Sequence, residues 1–250
     1  MARTLRRMLL AALAGSALAA SATEPIRIVT EEFPPYNMTD KGKVTGLSTE
    51  VVEAVLREIG EPANIQSMPW ARAYEIALNA PNVLIYSITR TAQREPLFKW
   101  VGAIAPSDWY LFARRGSTAT LTSLDEAKAL QTATVNTDAG EQYLVSKGFV
   151  IGKNLQSSNK YEFNYEKLRL GRVDLWVAND LVAHYLSRQA GDNPDTLLVR
   201  ALHLPDLGNN DGQFMAFSLK TPDSTVERFR QGLATIKRNG TYERLKKKWL

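Results

Sequence analysis

The 250-residue chain contains no cysteine, which removes disulfides and thiolate-ligated metals from its fold and chemistry. Its two histidines, His184 and His203, fall in different segments, so no metal site is expected. No G-x-G-x-x-G, Walker loop or G-x-S-x-G occurs; the usual routes to a bound cofactor or to acyl transfer are therefore absent, and none is expected. Net positive charge is also small once it is located. Of the formal net charge of +5, three charges are Arg3, Arg6 and Arg7, with no acid before Glu24, which leaves +2 for the rest and too little to argue for nucleic acid. Beyond the amino terminus there is no apolar run long enough to cross a bilayer.

Those three arginines introduce an apolar run from Met8 to Ala14, continued in small residues to two A-x-A sites, Ala17-Leu18-Ala19 and Ala20-Ser21-Ala22. This predicts a secretory signal peptide over residues 1–22, cleaved after Ala22 or Ala19, and an exported protein. The absence of cysteine after the run argues against a lipid anchor. The remainder, in a chain 44% hydrophobic and 23% charged, has the composition and length of an ordinary globular protein of one large or two small domains.

Strand and helix patterns then alternate, which predicts an α/β architecture. Strands are expected at Ile26–Thr30, Val83–Tyr86, Thr132–Val135, Val173–Ala178 and Phe214–Leu219, and Ser107–Ala113 is a further apolar run. Helices are expected at Ser48–Ile59, Trp70–Leu78, Ala139–Lys147, Tyr161–Leu168, Asp180–Arg188, from Ser224, and from Thr241 to Trp249. Val51, Val55 and Ile59 repeat at four-residue spacing ahead of Gly60, and Asp138 and Glu141 have capping-box spacing, as do Ser224 and Glu227. Pro34 and Pro35 predict an extended loop. Lys246, Lys247 and Lys248 read as a solvated, dipole-complementing last helical turn.

The segment from Val83 to Gly102 carries the clearest chemistry. Its apolar strand ends in Ser87 and Thr89, and Arg94 follows shortly after. Open α/β sheets bind ligands at strand carboxyl ends, and a guanidinium can clamp a carboxylate bidentately. Out of context, a surface arginine is the simpler reading.

The sequence resembles the family 3 extracellular solute-binding proteins, receptors that feed polar amino acids to ATP-binding-cassette importers. The resemblance spans the chain after the leader. It rests on I-R-I-V-T-E-E-F-P-P-Y at the start, G-L-S-T-E-V-V-E-A-V at Gly46 to Val55, T-A-Q-R-E at Thr91 to Glu95, G-R-V-D-L-W-V-A-N-D at Gly171 to Asp180, and N-G-T-Y-E-R-L-K-K-K-W at the end. It implies a two-lobed, type II-like periplasmic-binding-protein fold, each lobe a mixed sheet flanked by helices. Lobe one would comprise residues 23–112 and 214–250, and lobe two residues 113–213, joined by two hinge strands near Leu111–Arg114 and Gln213–Ala216.

By the same resemblance Arg94 matches the carboxylate-clamping arginine, Ser87 and Thr89 the donors before it, and Tyr36 and Trp70 aromatic positions that pack on the solute. Tyr36 could instead pack on Pro34 and Pro35, and Trp70 on the core. The family's ammonium-binding aspartate is replaced by Asn179, and its Gly-Thr segment by Asp138-Ala139-Gly140. Asp138 reads as a helix cap or as a substitute anion. The implied function is a non-enzymatic, monomeric receptor for a small carboxylate-bearing solute, an amino acid or derivative, delivered to a membrane permease. The alternatives are a dehydratase-like enzyme using Glu31, Glu32, Asp138 or Asp180, and a sensor that docks on a membrane receptor.

Overall fold

A computed structural model describes residues 25–117, 121–208 and 212–250; the signal-peptide reading falls on residues outside these. In chain order the elements are β1 (Arg27–Thr30), β2 (Met38–Asp40), β3 (Lys43–Thr45), α1 (Leu47–Ile59), β4 (Ile65–Ser67), α2 (Trp70–Asn79), β5 (Val83–Thr89), β6 (Phe98–Ala105) and β7 (Trp109–Arg114). They continue with β8 (Thr132–Val135), α3 (Ala139–Ser146), β9 (Leu155–Ser158), α4 (Tyr161–Arg169), β10 (Leu175–Asn179), α5 (Asp180–Gln189), α6 (Pro194–Leu197), β11 (Leu198–His203), β12 (Gln213–Ser218), α7 (Asp223–Arg238) and α8 (Thr241–Trp249).

Apart from β2 and β3, which pair antiparallel with each other, the strands form two mixed sheets, ordered β4-β1-β5-β12-β6 and β11-β7-β10-β8-β9, and thus two lobes. In the first, β1 runs parallel to β4 and β5, whereas β12 returns antiparallel between β5 and β6. In the second, β10 is parallel to β8 and antiparallel to β7. Every residue of β5, V-L-I-Y-S-I-T, is buried, as expected for a strand covered on both faces. Helix α1 buries Val51, Val52, Val55 and Leu56, and α7 buries Val226, Phe229, Leu233 and Ile236, the stripes their spacing predicts. Gly60 closes α1 in the left-handed region at φ 71°.

Local departures have local causes. Pro34 and Pro35 make a tight turn, not an extended loop: Phe33 O accepts from both Tyr36 N (2.9 Å) and Asn37 N (3.1 Å). The spacing of Ser224 and Glu227 does not cap α7, which starts after Pro222 with no side-chain cap. Strand β7 belongs wholly to the second sheet, so the chain crosses between lobes over residues 106–108, earlier than the boundary expected at Phe112. The return crossing precedes β12, where Gly212 sits at φ 104° and an added Cβ would lie 2.2 Å from Ala105 O.

Candidate ligand-binding site

The carboxyl ends of parallel strands from both sheets converge between the lobes, where an open α/β sheet places its ligands. Glu31 follows β1, Ser87 and Thr89 end β5, and Asp138 follows β8. Together with Phe33, Trp70 and Arg94 from the first lobe, and Trp109, Ala139 and Tyr161 from the second, they line a narrow cavity of about 10 Å³. That is room for about one water and no more.

Arg94 is only 1% exposed. Its Nη1 donates to Thr89 O (3.2 Å) in its own lobe, while Nη2 donates to Thr137 O (3.2 Å) and Nε to Gln142 Oε1 (2.9 Å) across the interface. The guanidinium carbon lies 5.1 Å from the Trp70 ring centroid and 4.9 Å from that of Tyr74, a favourable cation–π arrangement. Burial lowers its pKa, opposed by Tyr74, Asp138 and Tyr161, but a guanidinium so far above neutrality stays charged. Trp70 adds an interlobe bond of its own, Nε1 to Thr137 O at 2.9 Å. Thr137 presents that carbonyl from a positive φ of 58°, a conformation uncommon for a non-glycine residue.

Asp138 is 2% exposed and caps α3, its Oδ1 accepting from Glu141 N (2.7 Å). Glu141 reaches back to Thr137 N (2.8 Å) and accepts from Thr134 Oγ1 (2.7 Å), one residue off the usual reciprocal box. The Tyr161 hydroxyl donates to Asp138 Oδ2 at 3.2 Å. Desolvation pushes the Asp138 carboxyl up to about 7, although the Glu141 amide, Arg94 and Tyr161 pull the other way. Glu31, 6% exposed, is raised well above the carboxylate range, first by burial and then by Asp138.

Five of the residues singled out in the sequence, Arg94, Ser87, Thr89, Trp70 and Asp138, thus line one cavity. Ser87 spends its hydroxyl on Asn37 Oδ1. Tyr36 and Asn179 lie elsewhere. Asn179 is fully buried as the cap of α5: its Oδ1 accepts from Leu181 N (3.0 Å) and its Nδ2 donates to Ser107 Oγ (2.8 Å). Tyr36 donates its hydroxyl to Pro106 O (2.7 Å) and to Asn179 Oδ1 (3.0 Å). With Gln213, whose Nε2 donates to Thr89 Oγ1 (3.2 Å) and Ser107 Oγ (2.9 Å), these groups form a hydrogen-bonded chain along the crossing. On the far side of that chain Tyr36 borders a second gap of about 600 Å³, walled by Pro35 and Trp249 from one lobe and Leu181, His184 and Arg200 from the other.

Phe33, Trp109, Tyr161 and the two groups that hold Arg94 across the interface, Thr137 and Gln142, escape the sequence reading. Trp109 is buried, and its Nε1 has no hydrogen-bond partner among the described residues. Of the four carboxylates weighed as acid or base, Glu31 and Asp138 face the cavity. Glu32 accepts from Thr39 and Ser67, and Asp180 pairs with Arg200 at 2.6 and 2.9 Å.

The chain is 22% identical over 255 residues to the arginine-binding periplasmic protein of Mannheimia haemolytica, covering 98% of this chain and 99% of that one. It is 20% identical over 219 residues to the L-cystine-binding protein TcyJ of Escherichia coli (strain K12), covering 87% and 79%. Among solved structures, a histidine kinase sensor domain with similarity to periplasmic binding proteins superimposes with a TM-score of 0.77 at 21% identity, covering 90% of this chain and 96% of that one, a likeness of fold. Residues 26–250 match the family model itself, and with the interlobe arginine in place the chain belongs to the bacterial extracellular solute-binding proteins, family 3.

Proposed function

We propose that this protein is an exported receptor that captures a small carboxylate-bearing solute, an amino acid or a derivative, between its lobes and delivers it to a membrane importer. The observation that carries this reading is Arg94: a guanidinium 1% exposed, at the lobe interface, held by neutral oxygens from both lobes and not by a carboxylate. A solute carboxylate is a stronger, charge-assisted partner than the Thr137 carbonyl or the Gln142 amide it would displace. Asp138 then faces the ammonium group, the role that Asn179, consumed in capping α5, does not fill. Trp109 Nε1 supplies a free donor.

A cavity of about 10 Å³ admits no amino acid, so the lobes separate about residues 106–108 and the segment entering β12, then close on the solute. Closure is driven by the solute only in proportion to its preference for the closed state, which contacts to both lobes provide. The relatives' names, arginine-binding and L-cystine-binding, support an amino acid.

Isothermal titration against a panel of amino acids is expected to give saturable one-site binding, and Arg94→Ala is expected to lose about 2–5 kcal/mol of it, the cost of stranding a buried charge. Retention of affinity in Arg94→Ala, or a panel with no binder, would overturn the reading. A second reading, acid–base chemistry on a small carboxylate, is favoured by the two raised carboxyl groups in the same cavity. It is tested by whether the bound solute is recovered unchanged after prolonged incubation; we expect that it is.

A further inference from the structure

The cavity that Arg94 anchors has unbalanced walls. Against one guanidinium stand two buried carboxyl groups, Glu31 from the first lobe and Asp138 from the second. Among the described residues, Arg94 is the cation that acts on them. Glu31 is met by Asp138, Arg94, Tyr161 and Glu162, and Asp138 by Glu141, Arg94 and Tyr161. Tyr161, itself raised well above its ordinary value by burial, remains a neutral phenol that donates to Asp138 and touches Glu31, so it bridges the two carboxyl groups without cancelling either. A zwitterionic solute adds no net charge and would leave the imbalance sealed in a dry cleft, where an unpaired charge is costly.

Building on the capture reading above, we infer that the filled, closed cleft takes one positive charge beyond a zwitterion's, supplied by a cationic group on the solute or, failing that, by a proton on the Glu31–Asp138 pair. The solute class is therefore an amino acid or related carboxylate with net charge +1, its second cation directed at Glu31. A solute that lacks this cation must bring in a proton from water, which ends on a carboxylate oxygen. The upward shifts of both carboxyl groups in the closed, empty cleft agree with this.

L-Arginine and L-citrulline make the test, since their side chains are close in shape and differ by one charge. Calorimetry in two buffers of different ionisation enthalpy counts the protons exchanged by each. At about pH 6, citrulline is expected to take up about one proton per site more than arginine, whatever the conformation of the empty protein, because the comparison is between the two filled states. Arginine is expected to bind more tightly at neutral pH, on the order of tenfold or more, with the ratio shrinking by about tenfold per pH unit as acid supplies the missing charge. Glu31→Gln is expected to erase both differences. Equal proton counts and equal affinities for the two probes overturn the inference. So does preferential binding of L-glutamate, or failure of all three probes to bind the wild-type protein while another amino acid of the panel binds, either of which would leave the capture reading standing, whereas failure of the whole panel removes both.

Discussion

Asp138 shows how one side chain can serve two demands. As the cap of α3 it needs only an acceptor oxygen, which a neutral carboxyl or an amide provides equally well. As a buried group lifted from 3.8 to about 7, it gives the closed, solute-free protein a stability that is present in acid and lost as pH rises through that higher value, because the closed fold binds the proton more tightly than the unfolded chain. The melting temperature of the empty protein is therefore expected to fall from about pH 4 to about pH 7 and to level off above that. The underlying difference is at most about 4 kcal/mol, reduced to whatever extent the cleft opens. Asp138→Asn keeps the cap and should flatten the slope; an unchanged pH profile in a scanning-fluorimetry series would count against this assignment.

At the scale of elements, the start of α3 is pressed against β10. An added Cβ at Gly140 would come within 2.8 Å of Val177 Cγ1, on a branched side chain with little freedom to yield. Gly140→Ala is expected to cost about 1–3 kcal/mol in urea denaturation, as overpacking does, and to weaken solute binding by tilting Asp138. The parts of the fold that were legible in sequence were those with a strong local period: the buried run of β5, the stripes of α1 and α7, the cap at Asp138. Strands β6, β9 and β11 escaped because their burial is mixed and their pairing comes from distant chain. The site divides in the same way. Ser87 and Thr89 end one buried strand and Arg94 follows it, so sequence spacing nearly fixes where they emerge. Phe33 and Tyr36 sit on opposite sides of a tight turn, and the turn decides which ring enters the cavity. Asn179 sits between the strand and the helix that the sequence predicts, and as the residue before that helix it gives its side chain to the cap.

The whole molecule is held shut by a small set of bonds that cross between lobes. Trp70 Nε1 to Thr137 O is the simplest to remove, since Trp70→Phe keeps a ring beside Arg94 and deletes one donor. One such hydrogen bond contributes about 0.5–1.5 kcal/mol, enough to change a balanced open–closed ratio several-fold. The solute-free variant is expected to show a larger radius of gyration by small-angle X-ray scattering, converging on the wild-type value when solute is added. Identical scattering from both empty proteins would mean that this bond does not govern closure. The crossing itself has further leverage. With the cavity around Arg94 pinched nearly to nothing on one side, the roughly 600 Å³ hollow bordered by Tyr36, Leu181 and Trp249 lies on the other. Two rigid bodies rocking about a common axis trade one space against the other, like the jaws and handles of a clothes-peg. Side chains bulky enough to wedge the handles apart would therefore clamp the jaws, strengthening capture from a position that never meets the cargo.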